Sequence, residues 1–577
     1  MKIIRTAMGF LFRRMEPLSI TGILLGTLAF AAALTPTLMP RTFLTQGVLA
    51  GACFAAGYGL GALGRWLWAY LELPVPAARS QRIAGLVVGG LCLAVAFVFL
   101  REATAWQNSI RVLMRMEPVI SGHPLKVCAI AFVTVAILFA LAWLFGFILR
   151  FVAGWARRAV PRRIANVVGA AVAIVLFWSL ATGVFFRAAL ELLDSSFREY
   201  DALLEPEHPR PADPSKTGSA ASLVGWQKLG RAGREFIASG PNAADIGALT
   251  GRPALEPIRV YVGLRAADTP THRARMALEE LKRVNAFDRS ILVLVTPTGT
   301  GWIDPAAMAP LEYLHGGDVA SVGMQYSYLS SPLSLLVQPE YGAQAARALF
   351  TEVYAYWTSL PRDKRPRLYL HGLSLGAMNS ERSAQLFEML GDPVDGALWS
   401  GAPFASQGWR LLTDARNPGS PAWLPEFRDG SFVRFMNQHG FGTPAPAPWG
   451  PMRIVYLQYA SDAITFFDHR DFYRRPAWLE SPRGPDVSPD LRWYPVVTML
   501  QLALDMVLVT SAPMGYGHVF APQHYLDAWV AVTGADDWSA QDISALKRHL
   551  AQESRQAMDD RGDRDDSEED AYDNRGG

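Results

Sequence analysis

The stretch LYLHGLSLGAMNSE, residues 368–381, changes character within a few positions. It begins as an apolar run typical of a buried strand, passes through Gly-x-Ser-x-Gly around Ser374, and continues with residues that favour a helix. Gly372 and Gly376 lack a Cβ atom, so a strand and a helix can approach closely on either side of a strained turn. The five-residue pattern is short enough to arise by chance, so the surrounding chain has to decide its meaning.

Strand-like and helical segments alternate on both sides of this turn. Short apolar runs rich in β-branched residues occur at 258–264, 291–295, 319–326, 367–370, 396–403 and 453–460. Helical patterns occupy 340–359 and 375–390. Such alternation predicts an α/β domain with a mostly parallel sheet and helices on both faces.

The first third of the chain has a different composition. Five apolar stretches lie near 18–36, 47–71, 83–100, 126–150 and 165–190. Each is about long enough to cross a bilayer, which takes roughly 20 residues. A cleaved signal peptide would account for the first stretch alone. We therefore predict a multi-domain protein whose N-terminal part is an all-α transmembrane region of about five helices.

Changes in composition set the expected domain boundaries. We predict a transmembrane region at 1–195, a linker at 196–222, the α/β domain at 223–557 and an acidic disordered tail at 558–577. The linker contains LEPEHPRPADPSKTGSA, which is polar and rich in proline. The tail is dominated by Asp, Glu and Arg, a composition that cannot bury a core.

The distribution of Lys and Arg predicts the orientation. The N-terminal segment and the connections near 79–82 and 150–163 are rich in these residues and are expected in the cytoplasm. The third connection is also basic, but its WQNSIRVLMRM (106–116) is typical of an amphipathic helix at the membrane interface. Five crossings would place everything after residue 190 outside the cytoplasmic membrane.

The overall charge and the positions of the cysteines argue against a nucleic-acid-binding protein, a disulfide-rich protein and a CxxC metal protein. The formal net charge is +2 and no basic cluster is interleaved with aromatic residues, so no nucleic-acid partner is expected. The three cysteines, Cys53, Cys92 and Cys128, all lie in apolar stretches and offer no disulfide framework or CxxC metal site. We expect no metal and no organic cofactor, and the sequence does not indicate the oligomeric state.

Ser374 is the candidate nucleophile, because a strand–turn–helix exposes the serine hydroxyl at the start of a helix. The backbone N–H of Leu375 is then a candidate oxyanion donor. A second donor is expected from the glycine-rich turn after an earlier strand, ILVLVTPTGTGWIDP (291–305), with Thr298 and Gly299 as candidates. The TGTG run lacks the lysine and the spacing of a phosphate-binding loop.

A serine nucleophile needs a base, and the base needs an acid that orients it. Asp462 follows the strand-like run at 453–460 and is the preferred acid, with Asp468 as the alternative. His518 lies in the glycine-flanked MGYGHVFAP and is the preferred base, whereas His524 is a candidate surface residue of the next helix. The histidine beside the turn, His371, should point away from Ser374, because neighbouring strand residues alternate faces.

Two loops suggest the nature of the substrate. Residues 421–451 are dense in aromatics and proline, and QYSYLSSPLSLL (325–336) also has apolar content. Either could form a lid over a pocket for an apolar acyl group, and surface packing is the alternative interpretation.

With these motifs in hand, the chain resembles the bacterial membrane-anchored alpha/beta-hydrolase family 9. The resemblance rests on VTPTGTGWIDP, VGMQYSYLSSPLS, HGLSLGAMNSE, LQYASDAITFF and GYGHVF, and it covers nearly the whole chain. It implies a membrane-bound serine hydrolase with Ser374 as nucleophile, Asp462 as acid and His518 as base. We expect an ester of a lipid or another apolar acyl compound as substrate, with membrane lipids as partners. An acyltransferase, a peptidase, or a transporter or binding protein with a degenerate hydrolase domain are the alternatives.

Overall fold

The computed structural model of the chain describes residues 19–74, 77–182, 199, 201–204, 208–329, 331–337, 340–384 and 386–573. The chain divides into two compact units. The helical unit comprises Met1–Val184, Phe467–Leu479 and Pro485–Leu508, and the α/β unit comprises Phe185–Phe466, Glu480–Gly484 and Val509–Gly577. The two units are described separately below.

The helical unit begins with one helix for each predicted apolar stretch. These helices are α1 (Ile20–Leu34), α2 (Phe43–Tyr70), α3 (Ala78–Leu113), α4 (Pro124–Ala156) and α5 (Arg162–Thr182). Four apolar segments among the described residues are long enough to cross a membrane: Phe43–Tyr70, Arg79–Leu113, Pro124–Ala156 and Arg162–Ser179. Helix α1 has 15 residues and is capped by the Ser19 side chain, so it spans about 22 Å, less than the roughly 30 Å of a bilayer core.

Close packing explains why glycine interrupts the second apolar stretch. A Cβ atom on Gly57 would lie 2.5 Å from the carbonyl oxygen of Leu25, and one on Gly61 would lie 2.5 Å from that of Thr21. Helices α1 and α2 therefore touch backbone to backbone, as small residues allow in membrane helix pairs.

The third connection differs from the prediction. Residues 106–113 are helical as predicted, but they continue α3 without a break. The residues after Leu113 turn at Arg115, whose φ is +56°.

The α/β unit is built on a seven-stranded sheet. Its strands are β1 (Ile258–Val262), β2 (Ile291–Thr296), β3 (Val319–Met324), β4 (Arg367–Leu373), β5 (Gly396–Ser400), β6 (Val433–Met436) and β7 (Arg453–Leu457). The spatial order is β1-β3-β2-β4-β5-β7-β6, and each described neighbouring pair is parallel. The predicted α/β class with a parallel sheet and helices is confirmed.

Helices alternate with these strands in sequence. They are α6 (Gly230–Ala238), α7 (Ala243–Thr250), α8 (Pro270–Arg283), α9 (Pro305–Leu314), α10 (Ser331–Val337), α11 (Tyr341–Ser359), α12 (Leu375–Ser383), α13 (Leu386–Met389), α14 (Gln407–Asp414), α15 (Ala463–Phe466), α16 (Val497–Leu508), α17 (Pro522–Thr533) and α18 (Ala540–Asp573). All but α16 belong to the α/β unit.

The helical unit is completed by a piece of chain from far downstream. We call residues 467–479 and 485–508 the inserted segment; it contains α16 and departs from the predicted catalytic boundaries of 223–557. Val497 of α16 is 4 % exposed and shares a core with Phe30, Leu49 and Val127, while Leu500 and Leu504 pack against the same core. Burial of these apolar side chains explains why the segment folds with the N-terminal helices.

Three further stretches differ from their predicted character. Residues 421–451, expected to form a lid, contain β6 at the edge of the sheet. The described end of the linker is packed on the α/β unit, since Thr217 is buried and its hydroxyl donates to the carbonyl oxygen of Arg259. The acidic tail continues α18 as far as Asp573 rather than leaving the helix at residue 558.

The register of the sheet brings the candidate residues to one edge. Thr296 at the end of β2 pairs with Gly372 of β4, and Leu373 pairs with Ser400 at the end of β5. Ser400 in turn pairs with Leu457 at the end of β7. The chain after each of these carboxyl ends supplies one part of the site.

Candidate active site

Ser374 occupies a strained position between β4 and α12. Its φ is +58° and its ψ is −125°, a backbone conformation that costs a residue other than glycine about 1 to 3 kcal/mol. Only glycines fit around it: a Cβ atom on Gly372 would lie 2.3 Å from the carbonyl carbon of Gly376, and one on Gly376 would lie 2.2 Å from the Thr296 oxygen. The structure therefore has the strained strand–turn–helix geometry that the sequence predicts for a nucleophile.

The backbone of Ser374 is hydrogen-bonded to the end of β5, and the ring of His518 lies beside the residue that follows this strand. The Ser374 N–H donates to the carbonyl oxygen of Ser400 at 2.9 Å. The next residue, Gly401, has φ +52°, and a Cβ atom there would lie 2.4 Å from Cε1 of His518. The imidazole ring of His518 thus lies against the residue that follows the Ser374 backbone partner.

Asp462 and His518 form a buried pair. His518 Nδ1–H donates to Asp462 Oδ2 at 2.6 Å, and the two side chains are 6 % and 0 % exposed. The carboxylate also accepts the N–H of Ile464 at 2.9 Å and the hydroxyl of Thr465 at 3.1 Å. These bonds leave Nε2 of His518 as the ring nitrogen available to a substrate-side proton, and among the described residues this buried Nε2 has no hydrogen-bond partner.

The loop of His518 is held by two residues that precede Asp462. Ser461 Oγ accepts the N–H of Gly517 at 2.9 Å, and the hydroxyl of Tyr459 accepts the N–H of Ala521 at 3.1 Å. The Tyr459 hydroxyl also lies 2.6 Å from Nδ1 of His524. Burial lowers the pKa of His524 to about 4, so its ring is neutral where it shares this hydrogen bond with the tyrosine hydroxyl. His524 is a half-buried anchor rather than the surface residue that the sequence suggested.

The start of α12 offers N–H groups beside Ser374. The first N–H used inside the helix belongs to Met378, which donates to the Ser374 carbonyl at 3.2 Å, and no side chain caps this end. The N–H groups of the first turn, including that of Leu375, therefore remain unused by the helix, and the helix dipole favours negative charge there.

The turn after β2 differs in detail from the prediction. The N–H of Thr298 donates to the carbonyl of Trp302 at 3.0 Å, so it is engaged within its own turn. The N–H of Gly299 donates to the hydroxyl of Ser331 at 3.1 Å. A hydroxyl can rotate away from its donor whereas a backbone carbonyl in a closed turn cannot, so Gly299 is the better placed of the two.

The remaining candidates have other partners. Asp468 accepts from the backbone N–H and the Nε of Arg470. His549 contacts Tyr313 and Glu553. His371 is 1 % exposed, its Nδ1 lies 2.8 Å from the Leu398 carbonyl, and burial lowers its pKa to about 4. His371 is therefore a neutral packing residue.

A second buried carboxyl group near His518 escaped the sequence analysis. Asp304 caps α9 by accepting the N–H of Ala306 at 2.9 Å, and its side chain interacts with the hydroxyl of Tyr525. That hydroxyl lies 2.9 Å from Oγ of Ser400. Burial raises the pKa of Asp304 to about 7, and its hydrogen bonds to the Ala306 N–H and the Tyr525 hydroxyl act against this rise. The sequence Asp304-Pro305 could have predicted the helix cap, because proline is common in the first turn of a helix. It gave no signal that the Asp304 carboxyl group lies near His518.

Comparisons with known proteins follow the same division of the chain. Residues 258–546 match the model described as Alpha/beta-hydrolase family, and residues 34–241 match the model described as Alpha/beta-hydrolase family N-terminus. No curated protein and no solved structure matches at a significant level. Within the described residues, no group of three His, Cys, Asp or Glu side chains is placed to hold a metal ion.

Proposed function

Since this chain belongs to the alpha/beta-hydrolase family, we propose that it is a membrane-bound serine hydrolase with a Ser374–Asp462–His518 triad. Its substrate is an ester of a lipid or of another apolar acyl compound. The observation that carries the proposal is the buried 2.6 Å bond between His518 and Asp462, with the ring packed against Gly401. The strained φ of Ser374 also supports it.

The reaction proceeds in two halves. Ser374 Oγ attacks the ester carbonyl while its proton passes to Nε2 of His518, and that proton is then given to the departing alcohol. Asp462 keeps Nδ1 protonated and stabilises the imidazolium. Water next attacks the acyl-enzyme, gives its proton to Nε2, and the carboxylic acid leaves as Ser374 regains its hydrogen.

The negative charge on the tetrahedral intermediate needs donors in place beforehand. The N–H of Leu375 is the first, because α12 does not use it. The N–H of Gly299 becomes the second when the Ser331 hydroxyl turns away. Thr298 serves to close the turn through its bond to Trp302 rather than to bind the oxyanion.

The apolar helices support a membrane location for the enzyme. Four described segments could cross a membrane by length and composition. We propose a multi-pass protein of a bacterial inner membrane with its α/β unit on the periplasmic side, because Lys and Arg concentrate in the connections near 79–82 and 150–163. With the 150–163 connection in the cytoplasm, the single crossing by α5 carries the following chain to the other side. A hydrolase at a bilayer would meet lipid esters directly.

Labelling with a fluorophosphonate probe tests the nucleophile. In the full chain in detergent micelles, the probe should react with wild type and fail to react with Ser374→Ala. His518→Ala should slow labelling on the order of 10⁴-fold, because the base is lost. Ser383→Ala is the matched control, since its hydroxyl donates to the Ser380 carbonyl within α12. An unlabelled wild type beside a labelled reference hydrolase would refute the proposal.

Separate experiments test which ester is the substrate and on which side of the membrane the α/β unit lies. A periplasmic reporter fused after residue 210 should be active, and an inactive one beside an active cytoplasmic reporter would reverse the orientation. Comparing the lipids of wild-type and Ser374→Ala strains should reveal an accumulating ester. If the Ser374→Ala strain instead lacks an ester that wild type makes, and free fatty acid is unchanged, the reaction is acyl transfer. In that reaction an alcohol replaces water in the attack on the acyl-enzyme.

A further inference from the structure

The turn after β2, which we call the β2 turn (residues 297–302), lies beside the start of α12. A Cβ atom on Gly376, two residues after Ser374, would stand 3.0 Å from the carbonyl oxygen of Pro297, where the turn begins. The N–H of Gly299 in this turn is the second oxyanion donor of the proposed hydrolase. Such a donor lowers the barrier most when it is in place before the charge forms. The contacts that hold the β2 turn therefore bear on the rate of the reaction.

Two peptide groups connect the side chain of Gln325 to the Gly299 N–H. Gln325 Nε2 donates to the carbonyl of Thr300 at 3.1 Å. The N–H of the same peptide group belongs to Gly301 and donates to the carbonyl of Thr298 at 3.0 Å. The N–H of this second peptide group is that of Gly299. Because the C=O and N–H of a planar trans peptide point in opposite directions, holding the Thr300 oxygen restricts the direction of the Gly299 N–H.

The amide of Gln325 is itself fixed by three hydrogen bonds. The side chain is 1 % exposed, and its Oε1 accepts the N–H of Leu264 at 3.0 Å. Since a backbone N–H can only donate, this bond identifies which amide atom is the oxygen. Nε2 then donates to Asp201 Oδ1 at 3.2 Å as well as to the Thr300 carbonyl. Rotation of the amide would break all three bonds, so Gln325 is a rigid support.

Tyr261 of β1 holds the next peptide group of the β2 turn. Its hydroxyl donates to the carbonyl oxygen of Gly301 at 2.6 Å. The ring has no exposed surface, and a Cβ atom on Gly233 of α6 would collide with it. Burial raises the pKa of the Tyr261 hydroxyl well above its usual value, so this group remains a donor throughout the neutral pH range.

The two supports meet at Gly301. Its φ is +91°, and a Cβ atom there would stand 2.5 Å from the Tyr261 hydroxyl and 2.7 Å from Cγ of Gln325. Tyr261 lies in β1 and Gln325 follows β3 directly, so both side chains are carried by the sheet. The shape of the β2 turn is therefore set by the sheet beneath it and not by the turn sequence alone.

We propose that Gln325 and Tyr261 are positioning residues that direct the Gly299 N–H at the carbonyl oxygen under attack, which rests on the function proposed above. Neither side chain touches the reacting atoms. When Ser374 Oγ bonds to the carbonyl carbon and its proton passes to Nε2 of His518, the electron pair of the C=O bond moves to the oxygen. The new charge then meets a donor that already points at it. Because this interaction strengthens in the transition state, the two residues raise kcat rather than substrate affinity.

The test measures catalysis per active site in the full chain in detergent micelles. Fluorophosphonate titration counts competent sites, and hydrolysis of p-nitrophenyl butyrate gives kcat and KM. Tyr261→Phe removes one oxygen atom and keeps the ring, whereas Gln325→Met keeps the length of the side chain and removes its donors. Outright loss of an oxyanion donor lowers kcat about 100- to 1000-fold. We expect kcat to fall about 10-fold in Tyr261→Phe and about 10- to 100-fold in Gln325→Met, with KM changed by less than about threefold.

An alkyl trifluoromethyl ketone gives a readout that a purely structural role would not change. Ser374 adds to its carbonyl and forms a tetrahedral oxyanion, but no group can leave. In both variants the inhibition constant of the ketone should rise by about the factor by which kcat/KM falls, because the adduct and the transition state use the same donor. The corresponding alcohol cannot form the adduct, and its inhibition constant should stay at the wild-type value.

Tyr354→Phe is the matched control, since this tyrosine of α11 also donates to a backbone carbonyl, that of Asp392, at 2.7 Å. It should keep the wild-type kcat and the wild-type affinity for the ketone. If Gln325→Met does not fold, Tyr261→Phe decides the question alone.

Three results would overturn the positioning role and leave the proposed hydrolase intact. They are a wild-type kcat per titrated site in Tyr261→Phe, a lower kcat with an unchanged inhibition constant of the ketone, and an equal rise in the inhibition constant of the alcohol. The last result would assign the loss to the pocket and not to the oxyanion donor. An unlabelled wild type would refute the hydrolase itself, which is a different failure.

Discussion

Gly401 and His518 lie so close that a Cβ atom on residue 401 would stand 2.4 Å from Cε1 and 2.9 Å from Nδ1 of the imidazole ring. Real Cβ atoms do not approach heavy atoms so closely. The imidazole ring of His518 therefore occupies the space that a methyl group on residue 401 would need. The histidine is thereby located from two directions, by Asp462 through its Nδ1 and by the end of β5 through van der Waals contact.

Gly401→Ala should therefore displace the ring and impair catalysis more than stability. The left-handed φ of +52° adds a cost of about 1 to 2 kcal/mol for any residue with a Cβ atom. We expect kcat/KM to fall about 100-fold, because the base leaves its position. Gly251→Ala is the matched control, with φ +65° and nothing within 4 Å of the added atom. Equal activity in both variants would contradict the ring contact.

Gly376→Ala should disturb the other side of the site. The new methyl group would stand 2.2 Å from the Thr296 carbonyl oxygen and 3.0 Å from that of Pro297. Helix α12 must then move away from β2, carrying the Leu375 N–H with it. We expect a loss of about 1 to 3 kcal/mol in unfolding free energy and a fall in fluorophosphonate labelling rate. Gly391→Ala, with nothing within 4 Å, should preserve both.

Asp304→Asn should alter the pH dependence of stability. Burial raises the pKa of Asp304 from 3.8 to about 7, so between these values the folded state holds a proton that the unfolded chain has lost. Its contribution to stability is therefore greatest below about pH 4 and is lost as the pH rises through 7. The shift corresponds to about 4 kcal/mol as an order of magnitude.

Thermal unfolding at pH 5, 6, 7 and 8 checks this difference. Asn keeps the acceptor for Ala306 N–H, so the helix cap survives while the charge disappears. Relative to wild type, Asp304→Asn should gain stability steadily up to about pH 7 and then level off. Buried histidines such as His371 have lowered pKa values and oppose this slope below about pH 6.5, but they contribute equally to both proteins and cancel. A pH-independent difference would contradict the raised pKa.

Tyr459→Phe should loosen the loop that carries His518. Removing the hydroxyl leaves the Ala521 N–H and the His524 Nδ1 without this partner, which costs about 1 to 3 kcal/mol when such groups are buried. We expect a lower unfolding temperature together with a reduced kcat. Tyr354→Phe, whose hydroxyl donates to the Asp392 carbonyl at 2.7 Å, is a control that should lose stability alone. A wild-type kcat in Tyr459→Phe would show that the loop is fixed without this contact.

Much of the sheet could be predicted because buried parallel strands have continuous apolar, β-branched sequences. The runs at 291–295 and 319–326 correspond to β2 and β3, and the Gly-x-Ser-x-Gly turn lies where strand pairing requires it. Strand β6 was missed because VRFM (433–436) is short and lies among aromatics and prolines, which resemble a surface loop.

The site was predictable as a set of side chains but not as a set of backbone bonds. Asp462 and His518 meet as expected, because both follow structural signals that can be read locally. Whether the N–H of Thr298 is free depends on how its turn closes on Trp302, which composition does not determine. The membership of 485–508 in the helical unit was equally invisible, since it rests on a buried ion pair between Asp505 and Arg41, which lie 464 residues apart.

That separation has a consequence for synthesis. At roughly 5 to 20 residues per second, the ribosome makes Asp505 between about 20 and 90 s after Arg41, given the 464 residues between them. Throughout that interval Arg41 has no counter-ion from α16, and the Ala32 carbonyl has no bond from Gln501. The helical unit can therefore reach its final form only late in synthesis, after the ribosome has made α16.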